Sequence, residues 1–153
     1  MTTLADLVEI VRESRERTDS VFPLPDVDSC IDYAITEAGE YLDAVLREKR
    51  DTDKRNRDKA HDARKELGQA AYMVCSALIQ MPDETLQMSY VGDESIHDML
   101  LWLCLYRTAE DETALPDAIQ VYVNLCAYNG YDADSLLRET CAAFEAKHLP
   151  VVR

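Results

Sequence analysis

The chain has 153 residues, the size of one domain, and 30 acidic against 16 basic side chains give it a formal charge of −14. Such a surface repels nucleic acid, and apolar stretches of about ten residues fall short of the roughly 20 that cross a bilayer. Four scattered glycines (Gly39, Gly68, Gly92, Gly130) exclude a P-loop or a dinucleotide fingerprint, and so few turn-formers argue against a sandwich or barrel.

The periodicity is helical from end to end. Leu4, Leu7, Val8 and Val11 fall at i, i+3, i+4 and i+7, so the first helix is expected over residues 3–16. After Pro23 and Pro25, Asp26 or Asp28 can cap a second helix reaching about residue 50. A third is expected from about 57 to 81, stopped by Pro82. From Ala70 to Ile79 it is apolar on nearly every side, the mark of a central helix. Residues 82–93 read as a loop. A fourth helix starts near Asp93–Ser95 and contains the apolar run Met99–Leu105. Pro116 suits the first turn of a fifth, Asn129-Gly130 its end, and Asp132 caps a sixth over about 133–147, ended by Pro150. No strand signal is present. The expected fold is an all-α bundle of five to six helices in a single domain, residues 1–153. The third and fourth helices both call for cover on all sides, so a homodimer or homotetramer is expected to complete a four-helix core.

Five cysteines without a C-x-x-C pair (Cys30, Cys75, Cys104, Cys126, Cys141) read as reduced thiols that pack as small hydrophobes in a cytoplasmic protein. His61, His97 and His148 form no ligand pattern. The basic residues are concentrated: residues 47–65 hold nine of the sixteen against five acids, a local +4 that leaves −18 elsewhere. This is either a solvated connection or a cationic segment that meets an anionic ligand.

The acidic residues are also patterned. On a wheel of about 100° per residue, Glu37 and Glu40 fall among Tyr33, Ala44, Cys30 and Tyr41, on the shoulder of the apolar arc of the second helix. Asp62, Glu66 and Gln69 form a similar stripe on the third. Carboxylates on helix faces that turn inward need a partner, and there are two candidates: a salt bridge from the basic segment, or Mg²⁺, which takes oxygen ligands.

Thr36-Glu37-Ala38-Gly39-Glu40 followed by Lys65-Glu66-Leu67-Gly68-Gln69 resembles the paired motifs of the all-α nucleoside triphosphate pyrophosphohydrolases, the MazG-like superfamily with dimeric dUTPases, dCTP pyrophosphatases and phosphoribosyl-ATP pyrophosphohydrolases. That pattern is E-E-x-x-E, a spacer, then E-x-x-D. The resemblance covers residues 26–81 and, more loosely, the helical remainder. Glu37 and Glu40 match the second and third glutamates, and Glu66 matches the glutamate of the second motif. Thr36 stands in place of the first glutamate and Gln69 in place of the aspartate. An amide offers a carbonyl oxygen to a metal but no charge, and Asp62, one turn before Glu66, could supply a substitute carboxylate.

The resemblance implies hydrolysis of a (d)NTP to the monophosphate and pyrophosphate. It implies Mg²⁺ (or Mn²⁺) on Glu37, Glu40, Glu66 and Gln69. Either Glu37 or Glu40 would take the proton of the attacking water, and Lys54, Arg55 and Lys59 would hold the phosphates. Neither nucleic acid nor membrane is an expected partner. The competing readings are a related fold that binds a nucleotide without cleaving it, and an unrelated helical interaction protein with solvated acids.

Overall fold

The structure, a computed structural model, describes residues 3–50, 62–86, 92 and 95–149. These form six α-helices: α1 (Leu4–Thr18), α2 (Val27–Arg50), α3 (Ala63–Leu78), α4 (Ile96–Ala109), α5 (Ala114–Asn129) and α6 (Ala133–His148). A single 3₁₀ turn, Asp83–Thr85, lies between α3 and α4, and no strand occurs among the described residues. The fold is an all-α bundle.

The helix starts follow from local capping chemistry. Thr3 and Asp6 form a reciprocal capping box on α1. Of the two candidates for α2, Asp26 is the cap: its carboxylate accepts from the Ser29 N–H at 2.8 Å. Ser95 caps α4 and Asp132 caps α6. The third helix departs from expectation at both ends. Asp62 is extended (φ −74°, ψ 108°) and accepts from the Arg64 and Lys65 amides, so α3 begins at Ala63 rather than near 57. It closes at Leu78, short of Pro82. Gly130 takes φ +74° and ends α5, a left-handed conformation that costs glycine nothing.

α3 is the centre of the molecule. It lies against α1, α2, α5 and α6, and twelve of its sixteen residues are buried, so its apolar surround is supplied by its own chain. α2 runs antiparallel to it. Gln80, just past α3, donates to the Pro25 carbonyl before α2 at 2.8 Å, while the middle of α2 reaches the start of α3. α6 runs parallel to α3, with Arg64 against Glu139 and Tyr72 against Phe144. Gly68 makes that approach possible: a β-carbon there would collide with the Thr140 hydroxyl and stand 3.2 Å from Leu136 Cδ1.

α4 differs. It packs on α2 and α5, tied by Arg107 to Asp32 at 2.8 Å and to Asp28 at 3.2 Å. It buries only Ile96, Met99 and Leu103. Leu101 is 60% exposed and Cys104 is exposed, whereas the other four cysteines are buried. All five thiols are free, and burial raises Cys30, Cys126 and Cys141 to about 11, which keeps them protonated and inert. No helix among the described residues is long and apolar enough to cross a membrane.

Candidate functional site

The antiparallel pairing of α2 and α3 brings the middle of one helix to the first turns of the other. Several of the buried side chains here are small, among them Ala34 and Ala38 on α2 and Ala63 and Ala70 on α3. Small contacts let two helix axes close to about 8 Å. The carboxylates of Glu37 and Glu40, one turn apart on α2, then converge with that of Glu66 from α3. One oxygen from each lies within 4.8 Å of the other two. Glu66 is buried and Glu37 is half-buried.

Three carboxylates at that separation cannot all stay charged and unpartnered. The chain offers a remedy in Gln69. With its amide nitrogen turned inward, Gln69 donates to Glu37 Oε2 and to Glu66 Oε2, 2.9 Å each. With the amide reversed, its carbonyl oxygen faces the same two carboxylates and adds a fourth oxygen to the cluster. The second remedy is a proton. Burial, a hydrogen bond with Glu66 and the negative charge of Glu40 together push Glu37 up to about 8. At neutral pH Glu37 therefore keeps a proton unless a cation replaces it. With the Gln69 carbonyl turned inward, Glu37, Glu40, Glu66 and Gln69 would present four hard oxygens, the ligand chemistry of Mg²⁺ or Mn²⁺ rather than of soft metals.

One side of the cluster, Glu37 with Gln69, reaches the wall of a cleft of about 770 Å³ between α1, α2, α3 and α6. Glu37 and Gln69 line one part. Arg64, Lys65 and Lys147 line it too, and so do Phe22, Tyr72, Phe144 and His148. Arg64 is bidentate to Glu139 at 2.5 and 3.0 Å, and that pairing holds Glu139 below the usual carboxylate range. The aromatic rings form a continuous group. Phe22 meets Phe144 edge-on at 5.3 Å and His148 at 4.7 Å, and Phe144 meets Tyr72 at 5.2 Å. A mixed cleft of this size, with charged groups at one place and ring faces at another, matches the dimensions of small-molecule sites.

Glu37, Glu40 and Glu66 are thus together, with Gln69 against them. Asp62 is not in the cluster, because its carboxylate is spent on the N-terminus of α3. Thr36 faces away and donates to the Asp32 carbonyl at 3.1 Å. Tyr33 is exposed on the rim of the cleft, while Tyr41 is buried. Lys54, Arg55 and Lys59, expected at the phosphates, lie outside the described residues. Sequence reasoning missed the contributions of α1 and α6. One signal was available: Arg15 continues the apolar stripe Leu4, Val8, Val11 of α1 at the next helical position, where an aliphatic residue is the normal choice.

Compared with protein-family models, with curated proteins and with solved structures, the chain matches none.

Proposed function

We propose that this chain is a divalent-cation-dependent nucleoside triphosphate pyrophosphohydrolase of the MazG-like all-α type. The observation that carries the reading is the convergence of three glutamates from two antiparallel helices, with Gln69 beside them, at a cleft that Glu37 and Gln69 line. The sequence resemblance in the same two helices supports it independently.

Glu37, Glu40, Glu66 and the carbonyl of Gln69 would hold Mg²⁺. When bound, the ion supplies neutralisation of phosphate charge and a polarised water. The chain's own residues do the rest. Whichever of Glu37 and Glu40 is not fully committed to the ion would take the proton of water. Lys65 and Lys147, on the cleft wall, attract the polyphosphate. The rings of Phe22, Phe144 and His148 offer faces on which a base can stack.

The open face of α4 supports a homodimer or homotetramer as the working state. Its exposed Leu101 and Cys104 give a second copy an apolar surface to cover. Substituting Leu101→Asp should lower the mass seen by light scattering toward that of one chain.

A second reading has its own support. Gln69, with its amide donating to Glu37 and Glu66, satisfies the cluster without a metal, which suits a protein that binds nucleotide and does not hydrolyse it. The deciding experiment is incubation of the folded protein with a panel of (d)NTPs and Mg²⁺ or Mn²⁺, followed by assay of pyrophosphate. Release with at least one nucleotide is expected. No release from any of them, with saturable nucleotide binding intact, favours the second reading.

A further inference from the structure

Arg15 is the most buried cation of the molecule's described part, 5% exposed, and it has no carboxylate partner. Its Nε donates to Ser76 Oγ at 3.1 Å. Its Nη2 reaches only the sulfur of Met73 at 3.7 Å, a weak acceptor. Its Nη1, itself sealed from solvent, has no hydrogen-bond partner, while the buried Tyr72 hydroxyl has Ser14 as a side-chain neighbour. The guanidinium lies over the Tyr72 ring at 4.6 Å and near the Phe144 ring at 5.0 Å. With both rings to one side of the guanidinium and Nε in use, the edge left without a strong acceptor is the Nη1–Nη2 fork.

A buried guanidinium cannot escape its charge by losing a proton. A buried cation without a counter-charge is costly, and burying charge is tolerated where it is paired. Among the described residues, the acids around the cleft are engaged elsewhere: Glu139 with Arg64, Glu145 with Arg17, Asp62 at the α3 cap, and Glu37 with Glu66 and Gln69. Arg15 lines the same cleft. Its partner Ser76 is seven residues from Gln69 along α3, about 10 Å at the helical rise.

We infer that the cleft carries, about two turns along α3 from the carboxylates, an oxyanion subsite built on Arg15, with Tyr72 beside it, that takes a phosphate or carboxylate group of a ligand. The fork geometry of the free edge matches two oxygens of such a group. The subsite needs no metal, so it stands apart from the reading of the carboxylate cluster.

The test uses the full chain in EDTA, which silences any metal site, with inorganic phosphate and acetate as probes. Side-chain ¹⁵N resonances of Arg15 are followed by NMR, and melting temperature is measured alongside. Phosphate or acetate should move the Arg15 signals saturably, and the stronger of the two identifies the oxyanion. Arg15→Met should weaken that binding about tenfold or more, the loss expected for a charged hydrogen bond. It should also raise the melting temperature of the ligand-free protein, since an unpaired buried charge is gone. Glu37→Gln should leave the oxyanion response in place. Arg15→Lys, which keeps the charge but loses the fork, should bind more weakly than the native chain, and it decides the matter if the Met variant does not fold. Arg15 signals that stay still with both probes would overturn the inference. So would oxyanion affinity unchanged in the Lys or Met variant, or a ligand-free Met variant that melts lower, the sign of a purely structural arginine.

Discussion

The two ends of the cleft handle charge in opposite ways. At the carboxylate end, Glu37, Glu40 and Glu66 are crowded together, but a proton on Glu37 and the amide of Gln69 neutralise and bridge them within the chain. At the other end, Arg15 keeps a full charge beside aromatic rings, with no ion pair to an acid among the described residues. The first end is adjustable, because proton, amide and cation compete for the same oxygens. The second is fixed, because a guanidinium does not titrate. A ligand that is anionic, and that brings a cation with it, relieves both ends at once.

The comparison can be broken most severely at the carboxylates. Glu66→Gln removes a buried negative charge from the cluster, and metal-dependent pyrophosphate release should fall by about two orders of magnitude or more. Folding should be retained, because the amide fits the same space.

The wall between the two ends depends on Gly68. Gly68→Ala forces α6 away from α3 at Thr140 and Leu136, and should cost about 1–3 kcal/mol of stability in a urea titration. The same change should weaken ligand binding at both ends, whereas a change at Glu37 or Arg15 acts on its own end.

Gln69→Asp sharpens the contrast in the other direction. It returns a fourth charge to the cluster and removes the amide that bridges Glu37 and Glu66, so Mg²⁺ affinity should rise, by about tenfold. Isothermal titration reads this directly. Without metal the variant should be less stable than the native chain.

A last expected effect is on pH dependence. The folded chain holds the Glu37 proton up to about 8, well above its ordinary value. That contribution to stability is complete below the unfolded pKa of about 4.5 and is lost as pH rises through the folded value. In EDTA the melting temperature should therefore decline between about pH 5 and pH 8. With Mg²⁺ present the decline should flatten, because the cation replaces the proton. A change at Arg15 should leave this profile as it is.

How much of this was legible in the sequence depends on the range of the forces involved. Helices α1, α2, α5 and α6 were placed from local chemistry, since caps such as Asp132 and stops such as Gly130 act within a few residues. The convergence of Glu37, Glu40 and Glu66 was anticipated from their wheel positions and from the resemblance. Asp62 was misread because its stripe position and its capping role use the same side chain, and only the backbone turn at 62 decides between them. The cover of α3 was misjudged for another reason: its apolar surround showed that it needed neighbours, but not that α1 and α6 of the same chain provide them. Arg15 belongs to that class. Its place on an apolar stripe was visible, but its neighbours Met73, Ser76 and Phe144 come from helices about 60 to 130 residues away.

The most direct measurement is a Mn²⁺ titration followed by electron paramagnetic resonance, comparing the native chain with Glu66→Gln. The account predicts that the native chain quenches the free Mn²⁺ signal saturably, with one ion bound per chain. It also predicts that Glu66→Gln, folded to the same extent, loses most of that binding. Native protein that leaves the signal unchanged, or a variant that binds Mn²⁺ as well as the native chain, would contradict the claim that these carboxylates are a cation site.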